Sequence, residues 1–145
     1  MKVLFVCTGN VCRSAAAEAL LRRYGAAAGF EARSRGTAAQ PYYRMPAQVA
    51  AFLKAEGADA AAHKACLVTE ADIDWADLVL VMEARHEALL ADKFPQSMRK
   101  MKLFLDYCGA GGDLPDPMGG SDEGYARIMK TVKSCVLELV KKAAK

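Results

Sequence analysis

Two short apolar runs constrain this chain more than any other feature. Residues 2–6 read KVLFV and residues 77–82 read DLVLVM. Both are too short for a globular helix and show no polar alternation, which is the pattern of strands buried on both faces of a sheet. Each is followed by a segment of helical character. After 2–6, residues 14–28 place Ala17, Leu20, Leu21 and Tyr24 on one helical face, and Gly29 ends the segment. After 77–82, residues 84–94 read as a helix that Pro95 ends. Further strands are expected at 30–35, closed by Gly36, and at 100–105. Helices are expected at 46–56, with a proline in its first turn and Gly57 after its last, and as a short turn over 69–75. A loop over 107–120 leads to Ser121, which caps a last helix reaching 142 with Tyr125, Ile128, Met129, Val132, Val136, Leu139 and Val140 at helical spacing. Strands separated by helices predict an α/β fold: one domain over 1–145, with a parallel sheet and helices on both faces.

The totals exclude several classes. Hydrophobic residues make up 53% and charged residues 26% of the 145, which is globular composition. A net charge of +3, with local excess only at Arg99, Lys100 and Lys102 and at Lys141, Lys142 and Lys145, suits an anionic substrate and marks no nucleic-acid binder. The opening apolar run is too short for a signal peptide core or a membrane span. Five scattered cysteines, Cys7, Cys12, Cys66, Cys108 and Cys135, argue against a disulfide framework and for a reducing cytoplasm. Neither His63 nor His86 lies near a cysteine pair, so no metal site and no cofactor is expected.

In such sheets ligands bind beyond the carboxyl ends of the strands, where the stretch CTGNVCRS, residues 7–14, falls. A loop between a strand end and a helix start carries unpaired backbone N–H groups. If Thr8, Gly9, Asn10, Val11 and Cys12 curl so that these donors converge, they form a nest for a tetrahedral oxyanion. Gly9 and Asn10 are the residues best able to take left-handed conformations there. Arg13 closes the ring with a planar fork for two phosphate oxygens, and Cys7 lies beneath it. The field that binds an oxyanion also favours a thiolate, which makes Cys7 a candidate nucleophile aimed at phosphorus. Ser14 can donate a hydrogen bond to the sulfur. A departing oxygen also needs a proton donor. Asp116, between Pro115 and Pro117 in GGDLPDPMGG, is the candidate, with Asp113 as the competing acid.

These motifs resemble those of the low-molecular-weight protein tyrosine phosphatases, and the likeness spans nearly the whole chain. CTGNVCRS stands where that family has its phosphate loop, DP stands at the expected distance towards the C-terminus, and SRGT (34–37), AAHKA (61–65) and ADLVLVM (76–82) lie between them in the family's order. The resemblance implies a four-stranded parallel sheet and a phosphocysteine mechanism. It makes Cys7 the nucleophile, Arg13 the phosphate and transition-state binder, and Asp116 the general acid and then base. Asn10, Ser14, Ser34 and His63 are implied as the hydrogen bonds that hold the loop, and Cys12 as a second loop cysteine able to bridge to Cys7 under oxidation. The implied partners are phosphorylated proteins and, in the loop, inorganic phosphate or other oxyanions. A monomer or weak dimer without a membrane partner is expected.

The sequence departs from the family at several places. Ala15 replaces a frequent proline, Cys66 stands where many members have arginine, and Arg33 stands where an acid is common. After DP come Met118 and two glycines, where many tyrosine-specific members place aromatics. Gln40, Tyr42 and Tyr43 are candidates for the opposite wall of the substrate slot, although two tyrosines beside a proline fit plain surface equally well. Hydrolysis of protein phosphotyrosine is the leading expectation. The family's protein-arginine phosphatases are the nearest rival, because DPMGG resembles their DPFGG, but that branch tends to carry threonine at the position of Val11. Thioredoxin-coupled arsenate reduction would need further cysteines after Val81, where MEARHEALL has none. A silent phospho-ligand binding module would be expected to lose the nucleophile or the arginine, and this chain keeps both.

Overall fold

Four parallel strands form a single sheet in the order β2-β1-β3-β4: β1 (Lys2–Cys7), β2 (Glu31–Gly36), β3 (Leu78–Val81) and β4 (Met101–Leu103). The computed structural model describes residues 1–143, and Lys145 of the basic C-terminal end lies outside the described residues. The helices are α1 (Arg13–Gly25), α2 (Ala47–Ala55), α3 (Glu70–Trp75), α4 (Ala84–Lys93), α5 (Phe104–Tyr107) and α6 (Asp122–Ala143). From β1 the chain moves out to β2 on one side and returns to β3 on the other. The carboxyl end of β1 is therefore the topological switch point, where an open α/β sheet leaves a crevice.

Period-two alternation on β1 explains why its whole sequence is apolar. Val3, Phe5 and Cys7 join a core with Leu20 and Leu21 of α1, Leu53 of α2 and Met129, Val132 and Val136 of α6. Leu4 and Val6 point to the other face, against Ile73 of α3 and Leu90 and Phe94 near α4. Burying each such side chain contributes about 1.5–3 kcal/mol. The strand that leads into residues 8–12 is thus fixed from both sides. Phe5 also meets Phe104 edge to face, with ring centroids 5.6 Å apart.

The sequence expectations for the sheet and its helical layers hold, with boundary corrections. The first helix ends at Gly25, and Ala26–Ala28 tighten into a 3-10 turn before Gly29 takes a left-handed φ of 84°. The strand expected over 100–105 covers only Met101–Leu103, because Phe104–Tyr107 turn at once into α5. That turn buries Phe104 and Leu105 against the sheet instead of extending them. Ser121 does cap α6, its hydroxyl accepting the Gly124 N–H at 3.1 Å.

Candidate active site

Asn10 is the residue that bends the loop between β1 and α1. Among the described residues it is the one non-glycine with positive φ, at 60°, and it is fully buried. Three bonds hold it there. Its Nδ2 donates to Ser14 Oγ at 3.0 Å, its Oδ1 accepts the Cys66 N–H at 3.0 Å, and its carbonyl accepts from His63 Nε2 at 2.6 Å. Gly9, also expected to be left-handed, is not among the positive-φ residues. A Cβ on it would make only an ordinary contact with the Tyr43 ring, at 3.6 Å, so packing does not demand glycine there. Gly36, at the end of β2, is the tighter constraint: a Cβ there would collide with the Thr8 carbonyl oxygen and lie 3.2 Å from Asn10 Cβ.

The Cys7 sulfur lies at the end of β1, 2.8 Å from Ser14 Oγ. Ser14 Oγ accepts from Asn10. Its proton has two candidate acceptors, the sulfur at 2.8 Å and the Arg35 carbonyl at 3.5 Å, of which the sulfur is the closer. Among the described residues, the backbone N–H groups of Gly9, Asn10, Val11 and Cys12 have no hydrogen-bonded acceptor. Cys12 begins α1 without a side-chain cap. Buried N–H groups left unpaired in a loop are a ready oxyanion site. Burial, and then the nearby Cys7 and Asp116, pushes the Cys12 thiol up to about 12 against the pull of Arg13. Cys12 therefore stays protonated beside Cys7, and both are free thiols.

Arg13 is 2% exposed. One edge of its fork is anchored, with Nη1 donating to Glu83 Oε2 at 2.6 Å and to the Leu114 carbonyl at 2.7 Å. Nη2 lies 3.8 Å from Asp116 Oδ2, which leaves that edge facing the cavity. Asp116 Oδ1 accepts the Met118 N–H at 3.0 Å, a local turn that fixes the carboxyl. Asp113, the competing acid, is spent elsewhere: its Oδ1 accepts the Ala84 N–H at 2.8 Å, at the start of α4.

A cavity of about 490 Å³ opens over the loop, lined by Cys7, Thr8, Gly9, Asn10, Val11, Cys12 and Arg13 at its base and by Tyr42, Tyr43, Arg44, Asp116 and Met118 at its rim. The two tyrosines pack edge to face at 5.1 Å. Gln40 is not part of the lining. Its carbonyl accepts the Tyr43 N–H at 3.1 Å, which shapes the turn that presents the tyrosines. Arg44 takes the place expected for it. Ser34 does not bond to the phosphate loop either, because its hydroxyl donates to Glu18 of α1.

Two departures in the sequence acquire a structural role. Arg33 pairs with Asp72 at 3.4 Å and stacks over Trp75 at 4.2 Å. Cys66 works through its backbone, accepting the Gly36 N–H at 2.9 Å while donating to Asn10. Sequence reasoning missed Glu83, Arg85 and His86, which follow β3. Glu83 and His86 form a reciprocal cap on α4, and their E-x-x-H spacing after a buried strand is the signal that was available. Burial works against ionisation of Glu83, but hydrogen bonds from Arg85 and Arg13 hold its carboxyl below the usual range.

The family model for low-molecular-weight phosphotyrosine protein phosphatases matches residues 2–145. A protein-arginine-phosphatase of Geobacillus stearothermophilus is 34% identical, over 97% of this chain and 95% of the relative. A solved low-molecular-weight protein tyrosine phosphatase from T. tengcongensis superposes with a TM-score of 0.91 at 34% identity, covering 98% of this chain and 99% of that one. A solved arginine phosphatase with serine in place of a cysteine, and with its active-site serine phosphorylated, gives a TM-score of 0.92 at 32% identity, over 100% of this chain and 97% of that one. The chain belongs to the low-molecular-weight phosphotyrosine protein phosphatase family, and with it is a metal-independent phosphatase acting on phosphorylated proteins. Among the described residues no helix is long and apolar enough to cross a membrane.

Proposed function

We propose that this chain hydrolyses phosphotyrosine in proteins, with Cys7, Arg13 and Asp116 as its catalytic residues. The observation that carries this reading is the Cys7 sulfur beneath four unpaired N–H groups and the free edge of the Arg13 fork. The Cys7 thiolate attacks phosphorus as the bond to the phenolic oxygen breaks, and that oxygen takes the Asp116 proton. Charge spreading over the equatorial oxygens is met by the loop N–H groups and Arg13, so binding strengthens in the transition state. Water then attacks the phosphocysteine, giving its proton back to Asp116. The departing thiolate is stabilised by the Ser14 hydroxyl at 2.8 Å. Five free thiols support a reducing, cytoplasmic setting.

The rim favours a phenyl ring. Val11, Tyr42, Tyr43 and Met118 offer apolar contact, Arg44 adds positive charge, and Asp116 is the one acidic side chain among the lining residues. A buried phosphoarginine guanidinium would need acceptors, at about 1–3 kcal/mol for each polar group left unmet. The arginine-phosphatase reading is supported by the relative of that name and by the glycines that follow Met118. Steady-state assays on matched phosphotyrosine and phosphoarginine peptides decide between them. A preference for phosphotyrosine of at least about tenfold in kcat/KM is expected, equivalent to about 1.4 kcal/mol. A preference for phosphoarginine would overturn the substrate assignment, and Val11→Thr should narrow the gap by restoring a hydroxyl.

A further inference from the structure

Thr8 immediately follows the nucleophile, and its side chain stands in a chain of bonds that fixes the direction of every proton. The Glu83 N–H donates to His86 Nδ1 at 3.1 Å, so that nitrogen carries a lone pair. A neutral imidazole then has its proton on Nε2. His86 is fully buried, and burial, reinforced by the charges of Arg13 and Arg85, holds it down to about 4, which keeps the ring neutral at ordinary pH. Its Nε2–H therefore donates to Thr8 Oγ1, 2.8 Å away. Arg85 is a donor only, and its Nη2 reaches the same oxygen at 2.9 Å while Nη2 and Nε also donate to the Glu83 carboxylate, which holds the guanidinium in place.

A hydroxyl has two acceptor positions and one donor. Both acceptor positions of Thr8 Oγ1 are filled, and among the described residues its proton has no acceptor. Thr8 lines the cavity beside Cys7. We propose that the Thr8 hydroxyl is a fixed, one-way hydrogen-bond donor to the phosphoryl group bound over Cys7, with His86 and Arg85 as the positioning residues that deny it any other role.

The inference deepens, and rests on, the reading of this cavity as the phosphoryl site. It adds a side-chain donor to a ring otherwise built from backbone N–H groups and Arg13. Tetrahedral geometry sends the third direction of the Thr8 oxygen away from both His86 and Arg85, and Thr8 is among the residues that line the cavity. The same saturation has a consequence for selectivity. An oxygen with both lone pairs taken cannot accept from a substrate guanidinium, so Thr8 serves an anionic oxygen and offers nothing to a cationic headgroup. Glu83 is the common anchor, since its carboxylate binds Arg13 and Arg85 and its N–H sets the His86 tautomer.

The test compares the parent with Thr8→Val, which removes the hydroxyl at nearly constant volume, and Thr8→Ser, which keeps it. The probes are an activated aryl phosphate as substrate and inorganic vanadate as inhibitor, both usable whichever phosphorylated residue is the natural target. Loss of one hydrogen bond to a charged acceptor predicts about a tenfold or larger weakening of vanadate and a fall in kcat with little change in KM for Thr8→Val. Thr8→Ser should stay within a few-fold of the parent. Vanadate affinity and kcat unchanged in Thr8→Val would overturn the proposal. Nitrogen-15 NMR of the imidazole in the parent protein supplies a check that no folding defect can confuse: a proton on Nε2 is expected, and a proton on Nδ1 would overturn it. Failure of the phosphotyrosine assignment would instead appear as a reversed peptide preference, with these readouts unmoved.

Discussion

Glu83 Oε2 lies 2.6 Å from Arg13 Nη1, a contact between residues 70 positions apart that holds the buried guanidinium beneath the cavity. The Leu114 carbonyl shares the load at 2.7 Å. One edge of the fork is thereby spent on orientation, and the other is kept for the ligand. Without this partner the buried arginine would keep only the more distant Asp116 carboxylate, at 3.8 Å from its other edge.

Glu83→Gln should therefore destabilise the folded protein by about 3 kcal/mol, the scale of breaking a buried ion pair. Because a bound anion supplies the missing negative charge, saturating phosphate or vanadate should raise the melting temperature of Glu83→Gln more than that of the parent. Thermal denaturation with and without the anion measures this, and equal shifts in both proteins would contradict it.

Arg13→Lys keeps a positive charge but loses the two-pronged geometry. A fall in kcat of about 10²-fold or more is expected, the scale of losing a main oxyanion donor. Steady-state kinetics on an aryl phosphate read it directly, and a variant within a few-fold of the parent would contradict the role.

Asp116 and Asp113 are separated by three positions and by their surroundings. Asp116 faces the cavity and Arg13, whereas Asp113 caps α4. Asp116→Asn should lower kcat/KM, which reports the first step, by about 10²-fold or more for esters with poor leaving groups and far less for activated aryl phosphates. Asp113→Asn should leave this leaving-group dependence unchanged and lower the melting temperature slightly through loss of a helix cap. Measuring rates across a leaving-group series separates the two.

His86 gives the protein a defined acid sensitivity. Its ordinary value of 6.5 falls to about 4 in the fold, and protonation of Nδ1 would set two N–H groups against each other at the Glu83 N–H. Between these values the unfolded chain takes up a proton that the folded one does not. Stability is therefore full above about pH 6.5 and is lost progressively as the pH falls towards 4, by up to about 3 kcal/mol from this residue. Glu83, whose carboxyl is held low, adds a loss that sets in below its ordinary value of 4.5 and runs until the pH has fallen through its own folded value. Urea unfolding across this range should show a slope that is reduced in His86→Gln.

Gly36→Ala tests how closely the end of β2 supports the loop. The new methyl would collide with the Thr8 carbonyl oxygen and lie 2.9 Å from Ala39 Cβ. Overpacking of this kind costs about 1–3 kcal/mol, and displacement of Thr8 should lower kcat as well. Unchanged stability and kcat would mean that the loop tolerates a shift the packing argues against.

The sheet and the loop that follows its first strand were legible because local chemistry determines them. An apolar run buried on both faces must be a central strand, and CTGNVCRS after it carries its own geometric demands. The flanking prolines single out Asp116 and leave Asp113 as a competitor, and the engagement of Asp113 by the Ala84 N–H of a distant helix becomes visible only in the fold. Glu83, Arg85 and His86 were missed for a related reason: they gain meaning only when β3 pairs with β1 and brings residue 83 behind Arg13. Ser34 was misread because its neighbour Glu18 is on the far side of α1's first turns, a contact set by helix packing. The strand after 100 was overextended because Phe104 and Leu105 are as compatible with a buried helical turn as with a strand.

The central claim is that phosphate passes through Cys7. Asp116→Asn should slow the second step enough for the intermediate to accumulate from an activated aryl phosphate. Acid-quenched protein digested and analysed by mass spectrometry should then carry one phosphoryl group on the peptide that contains Cys7, localised to that residue and absent when Cys7→Ala is introduced. Hydrolysis proceeding with no phosphoprotein at any quench time, or with the phosphoryl group on Cys12, would contradict the account.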